Sequence, residues 1–208
     1  SGHPLDHFRF EMKHYGITTI AEFIEFKDTL LSNSNPFRQF RIAGLVSDAQ
    51  HRTTRNGKQF GVFSLEDYSG KTELALFGED YVRFKDHFSL GNVLFATGNF
   101  KARWNSTTDF EFKLSSVMLL ETVKKLLTRQ VEAELHPKVL TEETVAFIDN
   151  NVKSFPGKSG IKFVLSEPRL GWKVSMYTLE KGFEMNDEMA AFLETNPDIE
   201  VKVTTLEK

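Results

Sequence analysis

The 208-residue chain contains no cysteine, few tryptophans and tyrosines, and only a small formal net charge of −3. The missing cysteine excludes a disulfide framework and a thiolate zinc site. Apolar runs of about 18 residues or more are absent, and no signal-peptide pattern opens the chain. The sequence therefore predicts a soluble cytoplasmic protein with no membrane partner. The slight negative charge argues against a chain that is strongly basic throughout, as many nucleic-acid-binding proteins are.

Phenylalanine, by contrast, is abundant, with 20 residues. Its side chain is large and apolar and has no polar group, so most of these residues are expected in the core. A few on the face of a β-sheet can stack on nucleobases. Charge is also unevenly spread, because residues 36–118 carry 11 Lys/Arg and 9 Asp/Glu whereas both flanking regions are acidic.

The first region, residues 1–36, is predicted to be a short helical lead-in. Apolar residues recur at helix spacing between residues 20 and 31. Thr18 or Thr19 is expected to cap a helix that runs to about Leu31. The run of residues 32–36, Ser-Asn-Ser-Asn-Pro, predicts its end.

Residues 37–118 change to a period of two, which is typical of strands. The predicted elements are strands at 37–50, 60–67 and 72–77, a helix at 79–88, and strands at 92–101 and 110–118. Asn56-Gly57 predicts a tight turn between the first two strands. Three strands, a helix and two more strands make up the plan of the five-stranded OB-fold, a small β-barrel. The helix argues against an SH3-like barrel or a β-sandwich.

The remaining residues are predicted to form a helical linker at 119–137 and a small C-terminal α/β domain at 138–208. The expected elements of that domain are a helix at 141–153, a hairpin of strands at 161–165 and 173–177, a helix at 188–194, and a final strand at 199–203. Val145, Ile148 and Val152 should be buried by the first helix. Asn186 or Asp187 should cap the second.

No constellation of catalytic residues is evident. The 6 histidines are scattered, and no phosphate-binding loop or nucleophile-elbow motif is present. Glu66-Asp67 can be imagined as a metal-binding pair, but acidic residues that end a strand before a turn explain them better. We expect no active site, cofactor or metal in this chain.

The predicted binding site consists of the two loops that flank the binding face of an OB-fold. The loop after the first strand carries Arg52, Arg55 and Lys58 beside His51. The loop after the fourth strand is bounded by Lys101 and Arg103 and carries Trp104. Positive groups follow phosphates, and an aromatic ring stacks on bases of any sequence. The alternatives are that these cations are merely solvated and that Trp104 packs on the barrel edge.

Phe60 is a further candidate on the second strand. Alternation places Phe60, Val62 and Ser64 on one face and Gly61, Phe63 and Leu65 on the other. The pattern does not decide which face is the core, and a core position is the commoner fate of a phenylalanine. If Phe60 points outward, it is expected to stack on a base.

Several motifs resemble the bacterial DNA polymerase III α subunit, a replicative polymerase of the C family. They are SGHPL at residues 1–5, AGLV at 43–46, FSLEDYSG at 63–70 and ELALF at 73–77. In that family the SGHPL segment lies between a helix-hairpin-helix region and the OB domain. Residues 140–204 resemble its extreme C-terminal domain more loosely, through a helix, GKS at 157–159 and a hairpin.

The resemblance implies a non-catalytic C-terminal fragment of a DNA-directed DNA polymerase, whose catalytic carboxylates and metal-binding N-terminal domain lie elsewhere in the parent. It implies that the OB domain holds single-stranded template DNA and that the C-terminal domain docks the clamp-loader τ subunit. Two alternatives remain. One is a free-standing OB protein that binds single-stranded nucleic acid. The other is an OB protein-interaction module that binds no DNA.

Overall fold

The computed structural model describes residues 2–32, 38–177 and 182–206. Contacts divide the chain into two compact units. The first contains residues 1–12 and 16–121, and the second contains residues 13–15 and 122–208. Within the described ranges, no helix has both the length and the apolar character that crossing a membrane requires.

The first unit is an antiparallel barrel of five strands. From the N-terminus to residue 122, the elements are a 3-10 helix at Pro4–Phe8, α1 (Arg9–His14), α2 (Ile20–Asp28), a 3-10 turn at Leu30–Ser32, β1 (Gln39–Thr53), β2 (Gln59–Glu66), β3 (Lys71–Phe77), α3 (Gly78–Phe84), a 3-10 turn at Lys85–His87, β4 (Val93–Ala102), β5 (Phe110–Leu119) and a 3-10 turn at Leu120–Thr122. The strands are ordered β3-β2-β1-β4-β5, with α3 between β3 and β4 in the chain. This arrangement is the OB-fold, so the predicted fold is confirmed.

Phenylalanine dominates the barrel core, as its abundance predicts. Phe63 of β2 is fully buried and stacks on Phe88, with ring centroids 4.6 Å apart. Phe23 of α2 is 1% exposed and packs edge-on against Phe40 and Phe112 and stacked on Phe100. The lead-in helix α2 and the segment that follows the 3-10 turn at Lys85–His87 therefore add aromatic side chains to the same core as the strands.

The lead-in helix α2 begins where the sequence predicts. The Thr19 hydroxyl accepts a hydrogen bond from the Glu22 amide, and the Glu22 carboxylate accepts from the Thr19 amide at 3.1 Å. This capping box satisfies two backbone donors at the helix start. The Thr19 hydroxyl also donates to the Glu22 carboxylate, and these bonds lower the Glu22 pKa. The predicted stop at residues 33–36 lies outside the described residues.

Asp67 ties the β2–β3 turn to α2. Its side chain is 6% exposed and accepts hydrogen bonds from the amide of Ile20 at 2.9 Å and from the amides of Ser69 and Gly70. The Ser69 hydroxyl donates to the same carboxylate and accepts from the Ala21 amide. The acidic residues that end β2 therefore serve a structural turn. Among the described residues, no group of three or more His, Asp or Glu side chains is arranged to hold a metal ion.

The second unit is a four-stranded mixed sheet with helices. Its elements are α4 (Val123–Leu127), β6 (Thr128–Leu135), a 3-10 turn at Pro137–Val139, α5 (Glu142–Ser154), β7 (Pro156–Gly157), β8 (Gly160–Glu167), β9 (Trp172–Tyr177), β10 (Gly182–Phe183), α6 (Asp187–Thr195) and β11 (Ile199–Thr205). The sheet order is β11-β6-β8-β9, and β7 pairs separately with β10. Because β6 and β8 are parallel, α5 forms the crossover that such a pair requires.

The helical linker predicted at residues 119–137 is wrong beyond Leu127. Residues 128–135 form β6, which pairs with β11 on one side and with β8 on the other. Val131, Ala133 and Leu135 are buried while the residues between them are half-buried. This period of two, and two neighbouring strands, outweigh the helix spacing of the preceding apolar residues.

The helices of the second unit begin as predicted, but the burial predicted along α5 differs. Thr141 caps α5, and Asn186 caps α6 by accepting from the Met189 amide. The side chains of Asn186 and Asn151 also exchange two hydrogen bonds, of 2.9 and 3.0 Å, in the interior. Ile148 and Val152, predicted to be buried, are only half-buried, and Val145, also predicted to be buried, is 52% exposed. It lies near the start of α5 on the side that faces solvent.

Candidate nucleic-acid interface

The tip of the β1–β2 hairpin is the tight turn that Asn56-Gly57 predicts. Gly57 has a φ of +78°, which a residue without a Cβ adopts without strain. Its amide donates to the Thr54 carbonyl at 2.9 Å, and the Thr54 amide donates to the Lys58 carbonyl at 2.8 Å. Arg55 and Lys58 are exposed in this turn.

Arg52 lies on β1 and not in the loop where the sequence places it. The strand continues to Thr53, and Arg52 pairs with Phe60 across the β1–β2 ladder. The strand extends this far because its antiparallel pairing with β2 continues to Thr53. The pairing gives backbone partners to polar residues whose composition is typical of a loop. The Arg52 guanidinium donates to the Gln50 side-chain carbonyl two residues earlier. Arg52 is therefore exposed and held on a strand.

Phe60 lies on the outer face of the barrel. Phe63 and Leu65, which alternate with it on β2, are both fully buried and therefore mark the opposite face as the core. Phe60 pairs with Phe77 of β3, and the two rings stack with centroids 5.1 Å apart and planes 12° apart. Phe77 is 48% exposed. The Phe60 side chain therefore points outward and not into the core.

Arg52, Phe60 and Phe77 together form a row across β1, β2 and β3, which we call the basic–aromatic row. Directly opposite residues of antiparallel strands share a face, and the two pairings place all three side chains on the outer one. Phe77 was missed in the sequence analysis. Its outward position depends on the register with β2, although the alternation of Leu74 and Leu76 as core residues is a local signal for it.

The β4–β5 loop presents the second group of predicted residues. Trp104 is 92% exposed, which excludes packing on the barrel edge. Lys101 is exposed near the end of β4. Arg103 is engaged in ion pairs, with its guanidinium 3.4 Å from Asp109 and 3.9 Å from Glu111. Ion pairs at this exposure contribute little and break easily.

Carboxylates also engage Lys113 on β5. Its ammonium group lies 3.3 Å from Asp80 and 3.4 Å from Glu111. Burial acts to lower the pKa of Lys113, but the neighbouring Glu111 and Asp80 carboxylates outweigh it, and the pKa is raised. Lys113 therefore stays charged, and Glu111 is shared between two cations.

A cavity of about 120 Å³ lies between β3 and β5, and we call it the seam cavity. Phe77 of the basic–aromatic row and Arg103 of the β4–β5 loop both line it, together with Lys27 of α2. The cavity therefore connects the outer face of β3 with the second predicted loop. No sequence pattern indicates Lys27, because its approach to the strands depends on how α2 packs.

Family models match both units. Residues 40–120 match the model described as "OB-fold nucleic acid binding domain", and residues 131–204 match the one described as "DNA polymerase III alpha subunit, C-terminal domain". The first match agrees with the strand order of the barrel. The class of protein is therefore one that carries an OB-fold of the nucleic-acid-binding kind.

The curated relatives of this chain are DNA polymerase III alpha subunits. The DNA polymerase III subunit alpha of Haemophilus influenzae is 29% identical over 98 residues, which cover 47% of this chain and 8% of that protein. The subunit from Borreliella burgdorferi is 20% identical over 210 residues, covering 100% of this chain and 16% of that protein. The chain is similar to DNA polymerase III alpha subunits, and it spans less than a fifth of the length of these two relatives.

Solved structures with a related barrel include a mitochondrial single-stranded DNA binding protein from S. cerevisiae, Rim1. That match has a TM-score of 0.30 and 15% identity, and it covers 40% of this chain and 96% of that one. The fold assignment rests on the strand order of this chain and on the matching family model.

Proposed function

We propose that this chain is a non-catalytic C-terminal part of a bacterial replicative DNA polymerase. In this proposal the first unit binds single-stranded template DNA on the outer face of its OB barrel. The second unit docks a clamp-loader subunit of the τ type. Nucleotidyl transfer belongs to the whole polymerase, and the site of action is the cytoplasm, where bacterial chromosomes are copied.

The basic–aromatic row is the observation that carries the DNA-binding part. Exposed cations and an outward aromatic pair are the two elements by which proteins hold single strands without reading sequence. Arg55 and Lys58 extend the positive surface at the hairpin tip. Lys101 and Trp104 stand exposed at the other loop of the fold's binding face.

Fluorescence anisotropy of a labelled single-stranded oligonucleotide, at low and moderate salt, tests this proposal. We expect salt-sensitive binding, because phosphate contacts release counterions. Replacing Arg52, Arg55 and Lys58 together with alanine should weaken binding and flatten its salt dependence.

The matched control replaces three exposed cations of the second unit, Lys125, Lys138 and Lys153. It changes the net charge by the same amount and should leave affinity nearly unchanged. If both triple variants lost DNA affinity equally, the loss would arise from the change in net charge and not from the hairpin. Unchanged affinity in the Arg52, Arg55 and Lys58 variant would remove the hairpin from the site.

The two alternatives make different predictions in the same assay. An OB module that binds only protein gives no salt-sensitive DNA binding. A free-standing single-strand-binding protein gives DNA binding but has no clamp-loader partner. The match of residues 131–204 to a polymerase C-terminal domain favours the polymerase.

An exposed apolar strip on β9 supports a protein partner for the second unit. Trp172, Val174 and Met176 alternate along this strand and are 39%, 48% and 38% exposed. Among the described strands, β9 pairs only with β8, which leaves one edge free. An exposed edge strand with apolar side chains is a suitable surface for a partner segment.

Replacing Val174 with glutamate tests this docking. Charge in the middle of an apolar contact should weaken affinity for the purified clamp-loader subunit by about tenfold or more. Surface plasmon resonance measures the effect. Val145→Glu is the matched control, because Val145 is 52% exposed and belongs to α5. Equal affinities for both variants would contradict a contact at β9.

A further inference from the structure

The seam cavity lies where the barrel is not closed by hydrogen bonds. In the strand order β3-β2-β1-β4-β5, the two outer strands are β3 and β5. Among the described strands, each of them pairs on one side only. Side chains therefore fill this opening, and between them they leave a space of about 120 Å³.

The bottom of the seam cavity is aromatic and firmly held. Phe23 and Phe100 line it, are each 1% exposed, and stack with centroids 5.2 Å apart. Both rings belong to the close-packed barrel core. Two core rings therefore close the bottom of the cavity, and they are already in place before any ligand arrives.

The walls of the seam cavity are charged, with both signs present. Lys27 and Arg103 supply hydrogen-bond donors, and Glu73 and Glu111 supply acceptors. Arg103 and Glu111 lie 3.9 Å apart as an ion pair. A ligand that fits both the bottom and the walls is a flat ring with donors and acceptors at its edge.

The size of the seam cavity selects a single ring. At about 120 Å³ the seam cavity is smaller than the apolar cavity of about 150 Å³ that encloses one benzene molecule, so it can receive at most one six-membered ring and excludes two fused rings. A pyrimidine base is such a ring. A glutamate carboxylate can accept from the cytosine amino group, and cations can donate to base carbonyls.

We propose that the seam cavity holds one unstacked pyrimidine base of the bound single strand. This inference rests on the proposed DNA-binding function. Phe77 connects the two sites, because its ring stacks on Phe60 in the basic–aromatic row and also lines the seam cavity. A strand that lies along the row therefore passes the cavity, and one base turns into it while its neighbours stay on the aromatic face.

Ala75→Phe is the variant that tests this proposal. Ala75 is an exposed residue of β3 that lines the seam cavity, so a larger side chain fills the space from outside the core. Anisotropy measures affinities for dT, dC and dA oligonucleotides of one length at one salt concentration. The wild type should prefer the pyrimidine strands by at least about fivefold. Ala75→Phe should remove this preference, because it lowers the dT and dC affinities more than the dA affinity.

Two further variants control the interpretation. Ala146→Phe makes the same change at an exposed alanine of α5 and should preserve the preference. Glu73→Ala, at an exposed position, keeps the fold and should lower the ratio of dC to dA affinity. Thermal melting verifies that all variants are folded.

A pyrimidine preference that persists in both Ala75→Phe and Glu73→Ala overturns the proposal, since it then arises from strand flexibility. The proposal is also overturned if Ala75→Phe changes the affinity for a protein partner but not for any oligonucleotide. The seam cavity would then bind a side chain of that partner. If the wild type binds oligonucleotides and the Arg52, Arg55 and Lys58 variant does not, the DNA-binding proposal stands whichever way the cavity test comes out. No binding by the wild type contradicts both.

Discussion

Trp104 is the most exposed large apolar side chain of the described residues, at 92%. The neighbouring Asn105 has a φ of +58°, a left-handed conformation that asparagine tolerates better than most residues. The Ser106 hydroxyl accepts from the amides of Thr108 and Asp109, which stabilises the loop behind the indole. The ring is therefore presented to solvent by an ordered loop.

Replacing Trp104 with alanine should weaken single-strand binding by roughly 1–3 kcal/mol, the usual contribution of an aromatic that stacks on a base. The melting temperature should be unchanged, because a side chain this exposed makes few contacts. Anisotropy and thermal melting measure the two effects. Trp172→Ala, in the second unit, is the control for DNA binding. A lowered melting temperature with unaltered affinity would assign Trp104 a structural role.

At the residue scale, the sequence predicts that the candidate loop residues are exposed, but it does not predict which of them form ion pairs. Arg55, Lys58 and Trp104 are exposed, as residues of polar loops are expected to be. The ion pairs of Arg103 depend on how the loop folds back to bring Asp109 near. Because such pairs form across a loop whose shape is irregular, composition and spacing do not indicate them.

At the element scale, Asp67 shows how one side chain fixes the join between α2 and the β2–β3 turn. Asp67→Ala removes the acceptor of three backbone amides and one hydroxyl. Buried donors without partners cost about 1–3 kcal/mol, so the free energy of unfolding of the first unit should fall by about that amount. Urea denaturation, followed by far-ultraviolet circular dichroism, measures this loss of stability.

Two comparisons make this test specific. Asp67→Asn keeps one acceptor oxygen and should lose less stability than Asp67→Ala. Asp48→Ala removes a carboxylate that accepts one exposed hydrogen bond from Gln50, and it should change stability little. Equal stability of Asp67→Ala and Asp48→Ala would mean that α2 is held mainly by Phe23 in the core.

The elements also show where sequence patterns suffice and where they fail. The barrel strands were predictable because turn residues separate short segments of period two. Residues 128–135 were not, because Leu127 and Val131 also fit helix spacing. Their strand structure depends on pairing with β8, some thirty residues later in the chain, as in Val131 opposite Ile161. Long-range pairing of this kind overrides local propensity.

At the scale of the whole molecule, a net charge of −3 coexists with a local positive surface. The structure places Arg52, Arg55, Lys58, Lys101 and Arg103 on or beside the proposed DNA-binding face. Single strands give a slope of log affinity against log salt of about −0.7 per phosphate contact. Five contacts therefore set a limit of about −3.5, and the Asp109 and Glu111 pairs of Arg103 make a shallower slope the expected result.

Measuring this slope for the full chain tests whether the proposed face accounts for all of the binding. The variant that lacks Arg52, Arg55 and Lys58 should have a slope shallower by about 2, close to three contacts at about −0.7 each. A wild-type slope much steeper than about −3.5 would require cations beyond the five at the proposed face. The variant that lacks Lys125, Lys138 and Lys153 would then identify them, because its slope would fall only if the second unit also contacts the strand.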